Sequence, residues 1–168
     1  MFGQTVADIL KTDFVSWFHL RPIGPAVIDQ NLKTWSLRPE ASQFQDVLFE
    51  VRTASEQIAE LRLLVGRGLI NDPDTALAIR DIIQSFIALA FNNALNVRTL
   101  REEIQFREIP RTVLARSLPA LPPVPSSVFL AIVGKLSNAR FAEADAVVTV
   151  YNDTSPWPDK VVLVASRR

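Results

Sequence analysis

Between Val6 and Phe18 the apolar residues Val6, Ile9, Leu10, Phe14, Trp17 and Phe18 recur at helical spacing. The spacing predicts an amphipathic helix that ends near Leu20, because Pro22 and Pro25 follow. Thr5, with Asp8 three residues on, has the form of a capping box for that helix. Residues 21–39 read as a proline-bounded connector whose Trp35 packs against the helices. Further on, Phe44, Val51, Ile58 and Val65 repeat every seven residues, with Val47, Ala54 and Leu61 repeating between them. Such a repeat, held for about three heptads, predicts a coiled-coil helix. Gly66 and Gly68 read as its stop, and Asp72 before Pro73 as the N-cap and first position of the next helix.

That next helix is predicted from Pro73 to about Glu108, with Pro110 ending it. Ala76, Ile83, Ala90, Val97 and Ile104 recur every seven residues, and Ile79, Phe86 and Leu100 flank them. Ile82, Ile87, Phe91 and Leu95 widen the apolar face beyond one seam, a pattern of burial on several sides. The short link at 66–73 folds the two long helices into an antiparallel hairpin. Residues 110–125, with prolines at 110, 119, 122, 123 and 125, read as an extended connector. Ser126 or Ser127 caps a fourth helix through about Ala142, with Val128, Phe129, Ile132, Val133 and Leu136 as its apolar face. The period then changes. AVVTVY at 146–151 and KVVLVA at 160–165 are β-branched runs either side of NDTSPWPD, and they predict a β-hairpin.

The fold class expected from these patterns is α+β and mainly α. It comprises a long antiparallel helical hairpin, a short N-terminal helix, a fourth helix and a C-terminal β-hairpin. Three regions follow: helical 1–109, a Pro-rich connector 110–125, and a helix plus hairpin over 126–168, packed on the same domain. A lone two-stranded hairpin is marginal in water, so the terminal strands need a helix, an earlier strand or another chain against them.

Composition narrows the functions. The chain has 168 residues, no Cys and one His. Disulfides, thiolate chemistry and zinc–thiolate sites are therefore excluded, as is a multi-histidine metal site. Eighteen basic residues balance eighteen acidic ones, which argues against binding nucleic acid by bulk charge. The mean hydropathy of +0.16 is high for a monomer and points to buried subunit surface. MFGQTVADILKTDF lacks the features of a signal peptide, and Ile82–Leu95 is too short and polar to span a bilayer. The expected location is intracellular, in the cytoplasm or in a particle assembled there.

Candidate chemistry is sparse. His19 lies beside Trp17 and Phe18 with no sequence-local Ser or Asp arrangement, and it reads as a histidine closing a helix. Asp72 with Asp74 suits a helix N-terminus, and Glu102 with Glu103 suits ion pairing with nearby arginines. Glu143 with Asp145 lacks further oxygen ligands for a metal. Gly66-Arg67-Gly68 follows a predicted helix rather than a strand, so it is no phosphate loop. RSLPALP at 116–122 fits a polyproline ligand pattern but reads as a stiff linker. No catalytic residue, metal ligand or cofactor site emerges.

Two groups of residues point to interfaces instead. Arg98, Arg101, Arg107, Arg111 and Arg116 cluster in a chain with fourteen Arg to four Lys, and they are the candidates for nucleic-acid backbone contacts. Asn92, Asn93 and Asn96 interrupt the apolar face of the third helix, where a polar residue can fix the register of an oligomer seam. Val148, Val150, Val162 and Val164 of the terminal hairpin are candidates for strand addition between chains. The expected function is a self-assembling structural subunit of an oligomer, filament or particle, with no enzymatic activity. An adaptor or chaperone-like protein-binding module and an Arg-mediated nucleic-acid coat are the alternatives. The Arg-over-Lys, His- and Cys-poor, near-neutral balance is similar to that of small coat proteins of rod-shaped or filamentous virus particles, in composition alone.

Overall fold

A computed structural model describes residues 2–91, 126–143, 145–152 and 156–168. Its framework is an antiparallel β-sheet, which overturns the mainly α expectation. The strands are β1 (Leu20–Pro22), β2 (Val27–Asp29), β3 (Leu32–Pro39), β4 (Val47–Ala54), β5 (Gln57–Gly66), β6 (Asn138–Glu143), β7 (Ala146–Asn152) and β8 (Lys160–Arg167). They form one eight-stranded sheet in the order β1-β3-β4-β5-β8-β7-β6, with β2 also paired to β3. The helices are α1 (Val6–Leu10), α2 (Asp13–Trp17), α3 (Arg67–Asn71), α4 (Ala76–Phe91) and α5 (Ser126–Ile132), with a 3-10 turn at Ser42–Phe44.

The coiled-coil helix expected over 44–65 is a β-hairpin. In β4, Val47, Phe49, Val51 and Thr53 are buried while Leu48, Glu50, Arg52 and Ala54 are half-buried, a strand's period of two. Seven is an odd number, so a heptad of valines and isoleucines also satisfies strands when a turn and a bulge reset the face. Both occur here. Ser55 and Glu56 form the two-residue turn between Ala54 and Gln57 with φ of 49° and 65°, the left-handed pair of a type I′ turn. The register also shifts so that Arg52 faces Glu60 while Thr53 faces Ile58, leaving Ala59 as the extra residue.

The remaining helical expectations are corrected in similar ways. The N-terminal helix is two single turns, α1 and α2. The first starts as expected, with the Asp8 carboxylate accepting hydrogen bonds from the Thr5 backbone N–H and hydroxyl. The 21–39 connector is β1, β2 and β3. Gly66 ends a strand, not a helix, and it is small for a steric reason: a Cβ there would sit 1.6 Å from an Asp46 carboxylate oxygen. Asp46 in turn binds Lys160. The helical hairpin and coiled coil therefore do not exist, since the partner expected for α4 is a pair of strands. The expected helix over 126–142 stops at Ile132, and residues 138–143 are β6. Residues 92–108 of the third helix and the 110–125 connector lie outside the described residues.

The two β-branched runs near the C-terminus are β7 and β8, paired from Ala146↔Arg167 to Asn152↔Val161. The earlier strand they need is β5, which pairs with β8 from Glu60↔Ser166 to Gly66↔Lys160. One sheet thus joins both ends of the chain. Its inner face, with Phe49, Val51, Leu61, Leu63, Leu163, Val148 and Val150, is covered by α4, whose Ile79, Ile82, Ile83, Phe86 and Ile87 are buried against it. Phe14, Phe49 and Phe86 interlock at this seam with ring centroids 5.1–6.4 Å apart. Stability should respond to the 55–56 turn. Ser55→Asn with Glu56→Gly is expected to raise the urea midpoint by about 1 kcal/mol equivalent, because left-handed φ strains ordinary residues by ~1–2 kcal/mol each. Glycine inside a helix would instead lower it by about 1 kcal/mol.

Candidate functional site

The surface with the most distinctive chemistry is a groove between α4 and α5. In α5, Ser126 and Ser127 give way to an unbroken apolar run from Val128 to Val133. Val128, Ala131 and Ile132, at helical spacing, are buried where α5 packs on β6 and β7. The intervening residues must then face away: Phe129 is 43% exposed, Leu130 38% and Val133 53%. The end of α5 is pinned by Asn152, whose side-chain amide donates to the Ala131 and Leu136 carbonyls at 3.3 Å. Gly134, at φ 80°, lies so close to Arg67 that a Cβ would be 2.8 Å from a guanidinium nitrogen.

The other wall is α4, started by a compact cap. The Asp72 carboxylate accepts from the Asp74 N–H at 3.0 Å, and the Thr75 hydroxyl donates to the Leu69 carbonyl at 2.7 Å. Between the two helices lies a hollow of about 360 Å³ lined by Ile70, Ile79, Ile83, Ile87, Phe129, Ile132 and Val133, with Arg80 and Gln84 on its rim. Leu77 on α4, 57% exposed, and Leu136 beyond α5, 39% exposed, add apolar surface to the same two elements. Among the described residues no acidic side chain lines the hollow. Arg80 is exposed and forms no ion pair with any described residue. The arrangement is apolar with a cationic rim.

A second hollow, of about 420 Å³, lies on the other side of α4 and holds the only histidine. Its walls are Trp17, Phe18, Pro39, Ala41, Phe44, Ala78 and Ile82, with His19, Glu40 and Asp81 as the polar groups. His19 is exposed, sits at φ 48°, and its carbonyl accepts from the Glu40 N–H at 3.2 Å. The Arg21 guanidinium, 2.7 Å from Glu40, holds that carboxyl below its ordinary range. His19 makes no side-chain hydrogen bond to a described residue.

The outer face of the sheet carries a charge ladder. Arg52 bonds Glu60 at 2.9 Å, and Arg62 bonds the same carboxylate at 2.6 Å while lying 3.9 Å from Glu50. Trp157 covers Arg62, its ring centroid 5.2 Å from the guanidinium carbon. Burial pushes the Glu50 carboxyl above its ordinary value, against the pull of Arg62 and Arg52.

The strand residues expected at an oligomer interface lie within this chain's own sheet. Val148, Val150 and Val162 are buried there, and Val164 is half-buried opposite Arg62. With β5 alongside β8, the terminal hairpin is not short of a sheet neighbour. Asn92, Asn93 and Asn96 and the cluster Arg98, Arg101, Arg107, Arg111 and Arg116 lie outside the described residues. Among the described residues no three acidic or histidine side chains gather to hold a metal, and no helix is long and apolar enough to cross a membrane. The groove residues were visible in the sequence only as an apolar helix face. Their exposure follows from the shortness of α5, which periodicity does not reveal.

The ladder makes a pH prediction. A carboxyl whose folded pKa is raised binds its proton more readily in the folded state, so its contribution to stability is present below the unfolded value of 4.5 and lost as pH rises through the folded value. Glu50→Gln is expected to stabilise the protein at pH 7 and to lose that advantage below about pH 4.5, read from thermal midpoints across pH. A variant less stable than wild type at pH 7 would contradict it. Comparison with family models, curated proteins and solved structures returns no match for this chain.

Proposed function

We propose that this chain is a non-enzymatic protein-binding module that seats an apolar polypeptide segment bearing a carboxylate in the groove between α4 and α5. The observation that carries the reading is the groove's composition: exposed Phe129 and Val133 in a hollow walled by isoleucines, with Arg80, which has no ion-pair partner among the described residues, at the rim. Contiguous exposed apolar surface with a polar rim is the signature of an interaction site, whereas scattered single residues are ordinary. The apolar walls would supply the affinity by burial, and Arg80 would select an acidic side chain over a basic one. Catalysis finds less support, since the hollow around His19 is mostly apolar and the imidazole makes no side-chain hydrogen bond to a described residue.

The test uses a synthetic 18-residue amphipathic peptide, with leucines on one face and glutamates flanking them, and a twin with lysines replacing the glutamates. Amide shift mapping is expected to place the acidic peptide on residues 70–87 and 129–133, binding at least tenfold more tightly than the lysine twin. Val133→Glu, an exposed position, should weaken it at least tenfold without lowering the thermal midpoint. Arg80→Glu should reverse the preference between the two peptides. Absence of binding at 100 µM, or shifts elsewhere on the surface, would overturn the reading.

A further inference from the structure

The N-terminal edge of the sheet carries a second unpartnered apolar feature. β1 and β2 run along β3 as one interrupted strand: four residues separate Pro22 from Val27, whereas only two separate Leu37 from Thr34, their partners on β3. The surplus is a bulge at Ile23–Ala26 that contains Gly24 and Pro25. Beyond it, β2 and the start of β3 make a small hairpin whose turn has Gln30 at φ 54°. Val27 and Ile28 point to opposite sides of the strand, yet both are exposed, at 64% and 73%, and Ile23 is 49% exposed. No described residue buries either side of this finger. At its end stands Asp29, exposed and without an ion-pair partner among the described residues.

We infer that the occupant of the α4–α5 groove is the β2 finger of a second copy of this chain, with Ile28 entering the hollow and Asp29 meeting Arg80 at the rim. The inference rests on the groove reading above and names its partner. Three observations carry it. The finger presents Val27 and Ile28 and ends in a carboxylate with no ion-pair partner among the described residues, while the groove is apolar and rimmed by a guanidinium likewise without one among them, so each offers what the other lacks. The two lie toward opposite ends of the sheet, the finger on β3 and α5 over β6 and β7, so five strand spacings of ~4.8 Å keep a copy from filling its own groove. The Pro25 bulge and the shortness of β1 and β2 also blunt the edge against ordinary strand-to-strand pairing, which leaves side-chain insertion as the finger's means of contact. Such an interface is heterologous, finger to groove, and each copy added leaves one finger and one groove open. It builds strings or closed rings, the smallest ring being a dimer in which two copies exchange fingers.

Sedimentation velocity on the full chain between 1 and 100 µM tests this. Wild type is expected to form dimers or larger species as concentration rises. Ile28→Asp and Val133→Asp, both at exposed positions, should each stay monomeric alone. Mixed one to one they should form a dimer and stop, because one variant keeps its groove and the other its finger. Asp29→Arg alone should weaken association at least tenfold, and Asp29→Arg combined with Arg80→Asp should restore it. A monomeric wild type at 100 µM overturns the inference, and so does a mixture that fails to pair. If the acidic peptide still maps to the groove in that case, the binding-module reading stands and only its partner was misidentified. If the peptide also fails, both fall together.

Discussion

The apolar band of α4 is the constraint that organises this molecule. From Ile79 to Ala90 the helix buries nine of its residues, several of them isoleucines, and only Arg80 and Asp81 of that stretch are exposed. It needs a broad apolar platform, and the alternating inward residues of β4, β5, β8 and β7 supply one. Phe86 sits where Phe49 of the sheet and Phe14 of the N-terminal turns converge, so the helix, the sheet and the chain's beginning share one seam. At about 25 cal/mol per Å² of apolar surface, this layer outweighs any single polar contact in the protein. α5 is different in kind. It is too short to bury its whole circumference, and the apolar residues left over are what make the groove.

Some of this architecture is legible in the chain and some is not. The terminal hairpin could be read because AVVTVY and KVVLVA are β-branched and a turn-rich loop divides them. The core of α4 was also evident from its dense apolar spacing. The 44–65 segment was not, because its heptads compete with an equally good period of two in VLFEVRTA. The deciding feature is the turn at Ser55 and Glu56. Neither residue favours left-handed φ, so this two-residue turn carries none of the Asn or Gly that would announce it. Tertiary pairing with β3 and β8 overrides the local preference. The groove was hidden for another reason: what matters there is which apolar side chains fail to find cover, and that depends on where α5 stops.

The sheet's two faces also divide the labour between stability and surface. The inner face is aliphatic and aromatic, whereas the outer face places Glu50, Arg52, Glu60 and Arg62 in neighbouring positions on β4 and β5. Two arginines sharing one carboxylate satisfy it well, but Glu50 at the margin is desolvated more than it is compensated. Trp157 brings the β7–β8 loop over this ladder, which ties the C-terminal hairpin to the N-terminal one by a second route besides backbone pairing.

The pairing of β5 with β8 has a consequence for how the protein comes into being on the ribosome. Gly66 faces Lys160 and Glu60 faces Ser166, so about 100 residues must be made after β5 before its partner exists. At ~5–20 residues per second, roughly 5–20 s pass during which β5 is a central strand with one side open. Leu61, Leu63 and Val65, all fully buried at the end, have no β8 beside them in that interval. Contacts so distant in sequence also slow the closing step itself. The nascent chain therefore carries β5 with one edge unpaired until β8 has been made, an opening for association between unfinished chains.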